Sequence, residues 1–294
     1  MLRILLIGKN GQLGWELQRC LAPLGEVVTY DYPEIDLGKP ASLPGLVREV
    51  NPQVIVNAAA YTNVDKAESE AELARAINAV APGVLAEEAK RLNAAFIHYS
   101  TDYVFDGRKG APYVESDAPN PLNVYGQTKL EGEQAVQAVG GAYLVLRTSW
   151  VYSLRQGGFV TKVLQWAREQ DTLRVVDDQI SSPTWARMLA EATALALAQG
   201  RDDPAGYIRE KAGLYHLAGS GACSRYEWAQ AILELDPKKS EQKVRQLLPA
   251  KSSQFPTPAE RPLVSVLDCG KFEQVFGLRL PEWEEALQLA MDKR

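Results

Sequence analysis

The sequence predicts an α/β fold, a doubly wound parallel sheet followed by a smaller C-terminal lobe, and three observations lead there. Short apolar runs rich in Ile and Val alternate with stretches of helical periodicity through the first half of the chain. Gly8, Gly11 and Gly14 follow the first run directly and open the first helical stretch. After about residue 150 the alternation loosens into segments punctuated by Pro and Gly.

The elements can be placed in order. Runs at Leu2–Ile7, Glu26–Tyr30, Gln53–Asn57, Ala95–Tyr99, Leu144–Arg147 and Leu173–Val176 read as six strands. Continuous apolar runs suit a parallel sheet, because crossover helices cover both of its faces. Between them Gln12–Ala22, Val64–Asn78, Ala81–Leu92 and Leu122–Ala138 carry apolar residues three and four apart, the pattern of covering helices. Phe159–Glu169 and Trp185–Ala198 read as further helices, and Gly200–Gly213 as a loop. A short strand from Leu214, a helix Ser224–Leu235, a Pro-punctuated loop Pro249–Pro262 and an amphipathic helix Glu282–Met291 complete the chain.

Bulk properties exclude several classes. At 294 residues with 46% hydrophobic and 23% charged side chains, the chain can bury a large core without staples. A net charge of -5 carries no basic footprint for nucleic acid. Leu2–Ile7 is too short for a signal-peptide core, and no run reaches the ~18 apolar residues of a membrane span, so a cytoplasmic protein with no membrane contact is expected. Cys20, Cys223 and Cys269 are odd in number and far apart, which points to reduced structural thiols. His98 and His216 sit inside apolar runs and read as core residues, so no histidine-rich metal site is expected.

The glycine triplet gives the amino-terminal half its chemistry. A strand-to-helix turn with glycine at these places is tight, lets backbone approach a pyrophosphate, and offers the free amides of a helix start. This is the signature of a Rossmann-type dinucleotide site. Asp31, just past the second strand, suits the adenosine ribose, while Asp36 and Leu37 flank the adenine. Ala60, Tyr61 and Thr62 follow the third strand, where small residues let a flat cofactor lie against the backbone, and Tyr99 stands near the end of the fourth.

Catalytic groups gather in the middle of the chain. Thr101 and Asp102 end the fourth strand, and Tyr125 and Lys129 lie four apart on a helix, hence on one face. Ketone reduction needs a hydride donor, a proton donor for the forming alkoxide and a group that holds the carbonyl. Tyr125 supplies the proton, and a Lys129 ammonium favours its phenolate. Lys129 also reaches the nicotinamide ribose, and Thr101 bonds the carbonyl oxygen.

These residues sit within motifs that resemble the dTDP-4-dehydrorhamnose reductase family of extended short-chain dehydrogenases. They are Gly-Lys-Asn-Gly-Gln-Leu-Gly at 8–14, Asn-Ala-Ala-Ala-Tyr-Thr at 57–62, Val-Asp-Lys-Ala-Glu at 64–68, Ser-Thr-Asp-Tyr-Val-Phe-Asp-Gly at 100–107, Tyr125 to Lys129, and Arg-Thr-Ser-Trp-Val-Tyr at 147–152. The likeness continues through Asp178-Gln179, Pro183-Thr184 and Pro256 to Pro262, nearly the whole chain. One departure is Ser181, where the family often has Gly.

The resemblance implies NADPH- or NADH-dependent reduction of dTDP-4-dehydro-β-L-rhamnose, the last step of dTDP-L-rhamnose synthesis. It implies Gly11, Gln12 and Leu13 at the pyrophosphate, Thr101, Asp102 and Trp150 on the nucleotide sugar, and Arg261 on its diphosphate. Residues 1–152 with about 172–199 form the cofactor domain on this reading, and about 153–171 with 200–294 the sugar lobe. The partner is a small dTDP-linked sugar; a homodimer is compatible, and Mg2+ is admitted without support from the sequence. A catalytically silent regulatory subunit of the same fold is disfavoured by the intact Thr101, Tyr125 and Lys129. A sugar-nucleotide epimerase or dehydratase is the second rival, and the dehydratase is disfavoured because Tyr103 follows Asp102 where an acid would stand.

Overall fold

The computed structural model describes residues 1–155 and 157–292. Six parallel strands form the central sheet in the order Gly213–His216, Tyr143–Thr148, Ala95–Thr101, Val54–Asn57, Leu2–Ile7, Gly25–Tyr30. The chain turns one way after Leu2–Ile7 and the other way from Val54–Asn57 onward. The crevice at the carboxyl ends of these two strands is therefore the switch point at which open α/β sheets bind ligands.

Alternation along each strand builds a core on each face. Ile4, Leu6, Val54 and Val56 meet Leu17, Leu21, Leu189, Ala190 and Phe272, whereas Leu5, Ile7 and Ile55 meet Leu43, Val47, Leu85 and Val136. Each such aliphatic side chain contributes about 1.5–3 kcal/mol by burial. Leu6, with no exposed surface, is a place where truncation to Ala costs about 2–5 kcal/mol.

Leu173–Val176 does not join this sheet. It lies in a strand, Thr172–Val176, that pairs in parallel with Gln246–Ala250 in the C-terminal lobe, and the sixth sheet strand is Gly213–His216. Its pattern explains why: Thr172 and Arg174 face solvent while Leu173 and Val175 are buried, so the run has one apolar face rather than two. The lobe closes over Val160, Val163, Val175, Trp228, Ile232 and Leu287.

Two helical expectations also shift. The stretch read as Val64–Asn78 is a short helix Val64–Ala67, then Ala71–Arg75, which runs through a π-helical turn Ala76–Val80 into Ala81–Arg91. Pro82 has no N–H for the carbonyl of Asn78, and the ladder widens there. Gly200–Gly213 contains a helix, Pro204–Glu210, capped by Asp203, whose side chain accepts from the Gly206 amide at 2.9 Å. Its Ala205 and Ile208, with Phe272 and Phe276 of Gly270–Phe276, pack on the central sheet.

Candidate active site

The glycine turn is closed by steric need. Gly8 has φ +94°, and a Cβ there would lie 2.7 Å from the Ala59 amide nitrogen. A Cβ on Gly14 would overlap the Gly8 carbonyl oxygen. Gly11 precedes the helix Gln12–Leu21 and leaves its start without a side-chain cap. Backbone that excludes a Cβ, set beside an uncapped helix start, fits a dinucleotide pyrophosphate. Leu13 is buried. The Gln12 side chain turns aside, accepting from the Ser153 amide at 2.7 Å and reaching the Val151 carbonyl at 3.4 Å, which ties the turn to the segment after Trp150.

Asp31 stands over the same turn. Its carboxylate accepts from the Asn10 and Tyr32 amides, both at 2.8 Å, while neighbouring Glu34 pairs with Lys9. Asp36 folds back on its own loop, accepting from the Gly38 amide at 2.9 Å, and Leu37 enters the core. Ala60 is half-buried and Thr62 exposed. The backbone of Tyr61 is fixed by Asn78, which accepts from its amide at 2.8 Å, and its hydroxyl donates to Glu70 at 2.7 Å.

Tyr125 and Lys129 lie on the helix Val124–Val139, started by Asn123, whose side chain accepts from the Gly126 amide at 2.8 Å. A Cβ on Gly126 would overlap the Tyr103 carbonyl, so glycine lets the helix seat against Thr101–Tyr103. The Tyr125 ring meets Tyr103 edge-on at 5.8 Å. Burial pushes the Tyr125 phenol well above its ordinary value, and a hydrogen bond with Thr101 opposes that shift. Lys129 is buried, donates to the Tyr99 carbonyl at 2.6 Å, and is lowered to about 8 by burial. The Tyr99 hydroxyl points away to Thr193 at 2.8 Å, so its backbone, not its phenol, faces the lysine.

Asp102 is directed inward. Its carboxylate receives the hydroxyls of Thr101 and Ser181, both at 3.1 Å, and of Ser265, and burial pushes it up to about 6. It thereby joins the end of the fourth strand to two lobe segments.

A cavity of about 1000 Å³ is lined by Phe159, Gln179, Arg225, Phe255 and Arg261 among others. Trp150 has φ +41°, a strained conformation for a bulky residue, and stacks on Trp228 at 5.6 Å. The Arg225 guanidinium lies 3.6 Å from the centroid of Trp150. Among the described residues, no cluster of three or more His, Cys, Asp or Glu is arranged to hold a metal ion.

Over residues 2–294 the chain matches the family described as RmlD substrate binding domain. It is 44% identical to the dTDP-4-dehydrorhamnose reductase of Burkholderia thailandensis across 99% of this chain and 98% of that one. The chain belongs to the dTDP-4-dehydrorhamnose reductase family. A crystal structure of such a reductase from Clostridium acetobutylicum superposes with a TM-score of 0.89 at 36% identity, covering 99% of both chains. That of the Bacillus anthracis enzyme, in complex with NADP, gives 0.86 at 32%, covering 98% of both.

For a dTDP-4-dehydrorhamnose reductase, the sequence reading overlooked Arg225 and Ser265. Arg225 opens the helix Arg225–Glu234, where a cation opposes the helix dipole. That misfit with the helix dipole is visible in the sequence once the helix is placed. Ser265 carries no such mark, because its bond to Asp102 spans 163 residues.

Proposed function

We propose that this chain reduces dTDP-4-dehydro-β-L-rhamnose to dTDP-β-L-rhamnose with NADPH or NADH, the last step of dTDP-L-rhamnose synthesis for cell-surface polysaccharide. The observation that carries the reading is the gathering of Thr101, Tyr125 and Lys129 at the carboxyl edge of the sheet, the edge at which the glycine turn opens.

Bound reduced nicotinamide supplies the hydride. The Thr101 hydroxyl, which donates to Asp102 in the free site, turns to the carbonyl oxygen when substrate binds, and Tyr125 gives that oxygen its phenolic proton. Burial keeps the proton on Tyr125 until an alkoxide is there to take it. Lys129 holds the cofactor ribose and favours the phenolate that remains. Gly8, Gly11, Leu13 and Gly14 shape the pyrophosphate site, and Asp31 receives the adenosine ribose. Trp150 and Arg225 face the sugar diphosphate, while Arg261 secures the loop that covers it. Cofactor binding falls to the central sheet with its helices, and sugar binding to the lobe around Trp228. A cytoplasmic enzyme, acting as a homodimer, completes the proposal.

The test offers purified protein a panel of dTDP-, UDP- and GDP-linked 4-keto sugars with NADPH or NADH and identifies products by NMR. Oxidation of one cofactor per dTDP-4-dehydrorhamnose, with dTDP-L-rhamnose formed, is expected. Reduction of only a UDP- or GDP-linked ketose would overturn the substrate and leave the reductase chemistry standing.

A further inference from the structure

Behind Lys129 lies a chain of buried polar groups that the reaction so far leaves unused. His98 has no exposed surface, and its Nε2 stands 3.4 Å from the Lys129 nitrogen. Its Nδ1 stands 3.3 Å from the amide nitrogen of Asn57, the residue paired with it on the adjacent strand. The orientation of Asn57 is set by its oxygen, which accepts from the Ala59 amide at 3.2 Å, so its NH2 group faces the ring.

Both neighbours of the ring are donors when Lys129 is an ammonium. A neutral imidazole has one N–H and one acceptor nitrogen. With the proton on Nδ1, Nε2 accepts from the ammonium, but N–H then faces N–H at Asn57. With the proton on Nε2, Asn57 is satisfied, and Lys129 fits only as an amine that accepts. An imidazolium would satisfy neither neighbour, and burial together with the Lys129 charge keeps the ring neutral.

We propose that His98 is a positioning residue for Lys129, a neutral ring whose tautomer is coupled to whether Lys129 holds its proton. The Nε2 acceptor holds the ammonium and the mismatch at Asn57 weakens that hold, so Lys129 releases its proton more readily than it would beside an acceptor whose far side were satisfied. Ketone reduction consumes a proton each turnover, and a lysine of this kind recharges the site readily. The other groups facing Lys129 are the Tyr99 carbonyl, Tyr125 one turn back, and Glu133 one turn on. Glu133 is committed to Arg147 and Ser100, and Asn78, from the helix packed alongside, is neutral and bonded to Thr128. The inference rests on the part proposed for Lys129 in catalysis.

The chain has two histidines, which makes 15N-histidine NMR of the whole protein with NADPH bound direct to read. His216 Nδ1 faces the carbonyls of Tyr113 and Asp268 at 3.0 and 3.2 Å, so it carries its proton there throughout and serves as the internal reference. His98 is expected to stay neutral while its proton moves from Nδ1 toward Nε2 as pH rises through the range in which Lys129 titrates. A charged ring, or a tautomer that ignores pH, overturns the proposal whether or not the sugar assignment holds. In kinetics, His98→Phe removes the acceptor of the ammonium and should move the alkaline limb of kcat/KM down by roughly one pH unit. His98→Gln, which keeps an acceptor, should restore the limb. A purely structural role predicts the reverse order of damage, because Phe is the better buried ring, and a limb unmoved in His98→Phe also overturns it.

Discussion

Arg261 grips Asp65 with two nitrogens of its guanidinium, at 2.7 and 3.1 Å, across 196 residues of sequence. The cation expected on the diphosphate is thus occupied in fastening the Pro256–Pro262 loop to the helix Val64–Ala67. The same guanidinium donates to the Thr257 hydroxyl at 2.6 Å and the Ala259 carbonyl at 3.0 Å, so it organises its own loop as well.

Arg261→Gln and Asp65→Asn should therefore each raise KM for the nucleotide sugar, and the double variant should be little worse than either. A coupling of roughly 1 kcal/mol is expected for a half-exposed bidentate pair. Its hydrogen bond to Arg261 holds Asp65 below the usual carboxylate range. The contribution is therefore present above that range and lost as pH falls through the lowered value. Additive effects on KM would show that the two side chains act separately.

Tyr125→Phe retains the ring that meets Tyr103 but loses the proton donor. Turnover should fall about 100- to 10,000-fold while cofactor affinity by calorimetry stays the same. Near-normal turnover would make Tyr125 a structural residue.

Asp102 gives a pH signature in stability. Its folded-state value is raised to about 6, mainly by burial, above an unfolded value near 3.8. Stability on its account is full below the unfolded value and is lost as pH rises through 6, by at most about 3 kcal/mol. Subtracting denaturation curves of Asp102→Asn from those of the wild type isolates this slope. A flat difference between pH 4 and 6 would mean that the three hydroxyls offset the burial completely.

The parts of the site written in local order were legible from sequence, and those made by folding were not. Gly8, Gly11 and Gly14 declare their role because strand, turn and helix follow one another directly, and Tyr125 and Lys129 because a helix fixes their common face. Leu173–Val176 was misplaced because periodicity reveals a strand but not its partner; Arg174, which needs solvent, was the overlooked clue. The inward bonds of Asp102 were not legible, because Ser181 and Ser265, 79 and 163 residues away, leave no trace in its local sequence.

Cofactor choice should turn on Asp31, whose carboxylate sits on the Asn10 amide at 2.8 Å, if it receives the adenosine ribose as proposed. Both cofactors are expected to support turnover. Asp31→Ser should lower NADH affinity about tenfold, the effect of one lost hydrogen bond to a charged group, and favour NADPH. An unchanged ratio of kcat/KM for NADPH and NADH would place the ribose elsewhere.

Arg225 carries the strongest expectation for sugar binding. Its guanidinium lies over Trp150 and near Phe159 and Trp228, at 3.6, 5.0 and 5.5 Å from their centroids, so an apolar ring surface replaces much of its water. Burial lowers its proton affinity, Tyr103 and Asp102 act in the opposite sense, and Arg261 adds repulsion. Two guanidiniums that repel one another across one cavity, of which Arg261 is already held by Asp65, leave Arg225 as the charge that a diphosphate relieves. Arg225→Met keeps an apolar stem beside the aromatic rings while removing the charge, the donors and the guanidinium face over Trp150. It should weaken binding of dTDP alone about 10- to 100-fold, the range for a desolvated charge-assisted hydrogen bond, and leave NADPH affinity unchanged. The folded state should be as stable or more so, since a cation leaves a helix start and an apolar setting. Calorimetry with dTDP and with NADPH separates the two sites, and undiminished dTDP binding would remove Arg225 from the diphosphate and make it a structural stack.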